Sequence, residues 1–100
     1  MPFPHVGRPV LVPRPALVVT SPIGPGGLLI WTLMITNAAR PAWPGDVTIK
    51  DAEALGLLIP SKVRTAKISA VETQSATRLA LLDPATTDQV LDLVRNHLAL

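Results

Sequence analysis

Apolar positions along the chain come in short runs, and the spacing inside each run predicts the element. Residues 16–20, Ala-Leu-Val-Val-Thr, are continuous and β-branched, the pattern of a strand buried on both faces. Residues 28–36 form a second such run, and residues 21–27 between them carry Pro22, Gly24, Pro25, Gly26 and Gly27. Two strands joined by that loop predict a hairpin with a long, mobile tip. Upstream, Val10-Leu11-Val12 is broken by Pro13 and reads as an edge or a loop. Arg14 precedes Pro15, which steers it into the extended region.

The second half has a different rhythm. Residues 37–45 hold Pro41, Pro44 and Gly45 and read as irregular, while residues 46–49 alternate as a half-buried strand should. Residues 51–57 predict a short helix, stopped by Gly56 and Pro60. Residues 61–71 are the best alternating strand: Val63, Thr65 and Lys67 share one parity, and Arg64, Ala66, Ile68 and Ala70 the other. Residues 79–82 predict a further short strand. Asp83-Pro84 is a strong helix start, after which Val90, Leu91, Val94 and Leu98 make an apolar stripe. The sum is one mainly β domain over residues 1–100, a small barrel or curled antiparallel sheet with a packed C-terminal helix.

Composition narrows the class. With 48% hydrophobic residues in 100 positions the chain can build a core, and 16% charged residues is low for a free-standing surface, which predicts self-association. The absence of cysteine excludes a disulfide framework and thiolate zinc sites. No signal peptide is visible, and the most apolar stretch is far too short to span a bilayer, so a soluble cytoplasmic protein is expected. The net charge of +2 hides an asymmetry: up to Trp43 there are three arginines and no acid, whereas the tail holds Asp83, Asp88 and Asp92 against Arg95. A basic body favours a polyanion, weakly, because three aromatic residues make no base-stacking platform.

Two side chains stand out chemically. Arg14 opens one strand and Thr36 closes the next, and guanidinium and hydroxyl are donors suited to a phosphate that gains charge. By chemistry alone Arg14 is as readily an edge-strand arginine, and Thr36 an ordinary strand end. Asp46, Asp51 and Glu53 look like a carboxylate cluster, but Asp46 suits a turn and the other two a helix start. His5 reads as a loop histidine and His97 as a cation near a helix C-terminus; the pair makes no metal site. Lys62, Arg64 and Lys67 could line a groove or form a solvated face. Trp31 and Trp43 read as core or dimer-interface anchors.

Several segments, in order, resemble the MazF/PemK/Kid family of toxins from bacterial toxin–antitoxin pairs. They are Pro2-Phe3-Pro4, Arg14-Pro15-Ala16-Leu17-Val18-Val19, Ile35-Thr36, Pro44-Gly45-Asp46-Val47, Ser61-Lys62-Val63-Arg64-Thr65 and Lys67-Ile68. The resemblance implies an SH3-like barrel, a homodimer, and a metal- and cofactor-free endoribonuclease (an mRNA interferase) acting on single-stranded RNA. It places Arg14 and Thr36 as the catalytic pair. The 2′-oxygen would attack the adjacent phosphate, leaving a 2′,3′-cyclic phosphate and a 5′-hydroxyl. A cognate antitoxin would block the RNA groove. RNA-binding candidates are His5, Arg8, Asn37, Arg40, Arg64, Thr65 and Lys67. An arginine is a poor base near neutral pH, so Arg14 reads as stabiliser and possible proton donor, and His5 as the better candidate base.

The chain also departs from the family pattern. Members usually open with a Gly-Asp-[Val/Ile] strand, whereas Met1 here directly precedes Pro2, so that strand is expected to be lacking. The commonly doubled arginine is Pro13-Arg14, and a frequent glycine is Ala80. Two other expectations therefore stand beside the nuclease: an inactive truncated member, and a binding-only toxin resembling the gyrase poisons of the same fold.

Overall fold

A computed structural model describes the backbone of residues 9–11, 14–78 and 82–99, and the side chains of residues 14–76 and 82–99. Six strands form one antiparallel sheet: β1 (Pro9–Leu11), β2 (Pro15–Val18), β3 (Leu29–Asn37), β4 (Asp46–Thr48), β5 (Ser61–Glu72) and β6 (Thr77–Arg78). Their order across the sheet is β4-β5-β3-β2-β1-β6. One α-helix occurs among the described residues, α1 (Pro84–Leu98). A mainly β fold with a C-terminal helix is therefore present.

The β2–β3 hairpin forms as its two apolar runs predict, with Ala16 paired to Met34, Leu17 to Leu33 and Val18 to Thr32. Strand residues alternate between faces. One face carries Leu17, Leu33, Ile35, Val47 and Val63, which pack with Leu82 and Val90 into the main core. The other carries Ala16, Val18 and Ile30, which form a smaller cluster with Ala76. Burial on both faces accounts for the continuous apolar runs.

The β3–β5 pairing slips in the middle. Leu33 faces Ile68, yet Met34 faces Arg64, so Thr65, Ala66 and Lys67 have no partner on β3. Three extra residues reverse the parity of everything beyond them. Hence the simple alternation expected over residues 61–71 does not hold. Residues 61–65 are buried and residues 66–70 are exposed.

Helix α1 starts as its sequence predicts: Asp83 Oδ2 accepts from Thr86 N and Thr86 Oγ1, each at 2.9 Å, with Pro84 in the first turn. Thr86 and Val90 are buried, and Leu93 and Val94 pack on the core. The expected stripe is thus rotated: Leu93 belongs to it, and Leu98 is half exposed.

Two other expectations change. The middle helix is only a 3-10 turn, Ala52–Leu55, because Asp51 at φ 53° offers no side-chain cap and Gly56 at φ 82° ends it. Strand β1 is not at an edge, being paired to both β2 and β6. The strand expected over residues 79–82 falls mostly outside the described residues, and Leu82 is an irregular core residue.

Candidate nucleic-acid interface

The β2–β3 register brings the two chemically suspect residues together. The pairing ends at Ala16–Met34; Arg14 precedes β2 and Thr36 lies two residues beyond Met34 on β3, so both stand at the same end of the hairpin. Arg14 is exposed and Thr36 nearly buried.

Both line a cleft of about 570 Å³ together with Asn37, Arg40, Ser61 and the loop residues Gly56, Leu57, Leu58 and Ile59. Its described lining holds two arginines and no acid. Asn37 Oδ1 accepts from Ala39 N at 2.9 Å, and Arg40 N donates to Asn37 O at 3.0 Å, closing the turn that presents Arg40. Ala38 N donates to Pro60 O at 2.9 Å and ties that turn to the facing loop. Asn37 therefore offers the cleft its amide donors. Arg14, Thr36, Asn37 and Arg40 carry donors suited to an anion, whereas the Ser61 hydroxyl donates to Ile59 O at 2.8 Å.

A buried ionic cluster backs the arginine-bearing turn. Arg64 grips Asp46 through Nε and Nη2, both at 3.1 Å, and Lys62 Nζ lies 3.1 Å from Asp46 Oδ2. All three side chains are less than a tenth exposed. The spare donors hold the loop: Lys62 Nζ donates to Arg40 O at 2.7 Å, and Arg64 Nη2 to Pro41 O at 2.9 Å. Trp43 N donates to Asp46 Oδ2 at 3.0 Å, and the Trp43 ring lies 4.2 Å from the Arg64 guanidinium. The Arg64 hydrogen bond, helped by Trp43 N and Lys62, holds the Asp46 carboxyl far below the usual carboxylate range, against the opposing effect of burial.

The fold has relatives. Residues 1–98 match the family described as PemK-like, MazF-like toxin of type II toxin–antitoxin systems. The chain belongs to this family. A MazE–MazF complex from Deinococcus radiodurans (Form II) is similar at 21% identity and a TM-score of 0.77, covering 100% of this chain and 99% of the other. MazF alone from the same organism (Form I) is similar at 20% identity and 0.74, with full coverage of both chains. An endoribonuclease from a mycobacterial species follows at 17% and 0.72, covering 100% and 95%. At these identities the structures establish a shared MazF fold. No curated protein sequence matches.

Against that MazF fold the sequence-derived site residues divide cleanly. Arg14, Thr36, Asn37 and Arg40 meet at one cleft. Lys67 lies on a second, smaller cleft that also touches Arg14. Arg64 and Thr65 line neither one. Asp46 draws the Arg64 guanidinium inward, and Thr65 Oγ1 donates to Gly45 O at 2.7 Å while accepting from His97 Nε2 at 3.0 Å. His97 thus anchors the helix end to β5, beyond the charge role its position suggests. Lys62 is likewise no solvated residue. Trp31 and Trp43 are 40% and 44% exposed, so neither is a core anchor. His5 and Arg8 lie outside the described residues.

Sequence reasoning passed over the partners that make the site: Asp46 as counter-ion, and the Gly56–Ile59 side of the cleft. The first was legible as an acid one strand away from two cations. The second had no signal, since loop packing leaves no periodic mark. Among the described residues no helix is long and apolar enough to cross a membrane, and no cluster of three metal-ligating side chains occurs.

Proposed function

We propose that this toxin-family chain is an endoribonuclease that cleaves single-stranded RNA at the Arg14–Thr36 cleft. The observation that carries the reading is that an exposed arginine and a threonine line one cleft whose described lining holds no acid. In the reaction the ribose 2′-oxygen forms a bond to phosphorus as the P–O5′ bond breaks. The products are a 2′,3′-cyclic phosphate and a 5′-hydroxyl. Arg14 pairs with the non-bridging oxygens as they gain charge, and Thr36 donates to the same group. Arg40 and the Asn37 amide hold the flanking strand.

Arg14 also has the donors to protonate the departing 5′-oxygen, although its high pKa makes electrostatic stabilisation its main part. The described lining of the cleft contains no histidine or carboxylate to take the 2′-proton. His5 is the chain's chemically suited base; a His5→Ala enzyme assigns it if the acid limb of the pH–rate profile near pH 6.5 disappears. The biological setting of the reading is a cytoplasmic homodimer held inactive by a cognate antitoxin. One of the structural neighbours is itself a mycobacterial endoribonuclease in complex with its cognate antitoxin.

The test uses purified protein and mixed-sequence single-stranded RNA with excess chelator. Cyclic-phosphate ends should appear with the native chain. Arg14→Ala and Thr36→Ala should each lose about 10²- to 10³-fold in rate, the effect of removing one preorganised donor. A folded protein that leaves varied RNAs intact sinks the reading in favour of a binding-only toxin.

A further inference from the structure

We propose that the smaller cleft beside Arg14 is a second phosphate subsite, which holds a neighbouring phosphodiester of the same RNA strand against Lys67. The proposal rests on the nuclease reading and extends it along β3. The cleft has a volume of about 250 Å³ and is lined by Arg14, Thr32, Met34, Lys67 and Ser69, among others. Like the larger cleft it has cations and hydroxyls in its lining and no acid. Arg14 and Met34 line both.

The register explains how Lys67 reaches this face. Before the slip, Lys62 and Arg64 pair with Thr36 and Met34 and share their face. Were β5 regular, Thr65 and Lys67 would both turn to the opposite, helix-covered face, as Thr65 does. The three unpartnered residues reverse the parity, so that Ser69 pairs with Thr32 and Lys67 joins the cleft face. Re-aiming a side chain beside a site is a recurrent use of bulges. Here the side chain is an exposed lysine that a regular strand would have aimed at the core.

Thr36, Met34 and Thr32 follow one another on this face of β3, a span of about 14 Å at 3.4 Å per residue. Arg40 and Asn37 stand at its start, Arg14 in the middle, and Lys67 with Ser69 at its end. Such a line of donors fits an extended polyanion. The smaller cleft suits a phosphate and its sugar, with Lys67 as point charge and the Ser69 hydroxyl as second donor. Contacts of this type position a strand without reading its bases.

The test measures binding of a single-stranded RNA made uncleavable by a 2′-deoxy sugar at the scissile position. Its phosphates are replaced one at a time by neutral methylphosphonates. The native chain is compared with Lys67→Met and Lys67→Arg; the site is exposed, so all should fold alike. Lys67→Met should bind several-fold more weakly and lower the slope of log K against log salt by about 0.7, the loss of one single-strand phosphate contact. It should also become indifferent to neutralisation at one phosphate next to the scissile one, while Lys67→Arg keeps that sensitivity. If the native chain binds RNA but Lys67→Met keeps its slope and every phosphate's effect, the subsite is wrong and the nuclease reading stands. If the native chain binds no RNA, both fall.

Discussion

Lys62 Nζ sits 2.7 Å from the carbonyl oxygen of Arg40, so a buried lysine holds the backbone of an arginine that lines the candidate RNA cleft. The bond links the ionic cluster to the cleft it borders on the same face of the sheet. Lys62→Met keeps the length and apolar stem but removes the donor and the charge. RNA affinity should fall, as it should for Arg40→Ala, whereas the extent of damage to the melting temperature should be small beside that of losing Asp46. Equal RNA binding by Lys62→Met and the native chain, each fully folded, would show that the turn needs no such support.

Asp46 is the group on which the cluster depends. Asp46→Ala leaves Lys62 and Arg64 buried without a counter-charge, a change that typically costs about 3–5 kcal/mol. Chemical denaturation should show that loss, with near-native stability returning only where both cations are also replaced by apolar side chains.

The same carboxylate makes an acid-sensitive fold. Its folded pKa is depressed, so its stabilisation is complete above the unfolded value of about 3.9 and is lost as pH falls toward the folded one. Melting temperatures should drop below about pH 4 in the native chain, and the drop should be shallower in Asp46→Asn, which has no carboxylate there to protonate. Identical acid limbs for the two proteins would refute this assignment.

Gly45 is under a double constraint. It stands at φ +90°, and a Cβ there would come within 2.6 Å of Thr65 Oγ1 and 3.3 Å of His97 Nε2. Gly45→Ala should therefore break the link from β5 to the helix end as well as strain the turn. In a Thr65→Ala background the clash is relieved, so the penalty of Gly45→Ala should shrink; additive losses in that cycle would disprove the contact.

The local code of the chain was readable wherever one rule governed each residue. Two apolar runs around a Gly/Pro loop gave the hairpin, and Asp83-Pro84 gave the helix start with its bond to Thr86. What could not be read is the slip at Leu33–Met34. Residues 61–71 alternate well as a sequence, and nothing in them records that Thr65, Ala66 and Lys67 lack partners, because register is a property of two strands. The error therefore fell on Lys67, placed with Val63 and Thr65 by parity. Arg64 failed for another reason: motif and charge both suggested a ligand contact, while its counter-ion Asp46 lies eighteen positions earlier. Arg14 and Thr36, twenty-two positions apart, were singled out because each lies at a strand end and the resemblance pairs them, and both line one cleft.

The Trp43–Arg64 stack also makes the molecule its own sensor. The chain has two tryptophans and no tyrosine, so its near-ultraviolet emission comes from two indoles alone. Trp31 is exposed on the distal half of β3, and Trp43 lies against a guanidinium in the turn that carries Arg40. Replacing Trp31 with phenylalanine would leave a single fluorophore on that turn, and its colour and intensity would follow docking and release of the cleft wall in real time without any added label.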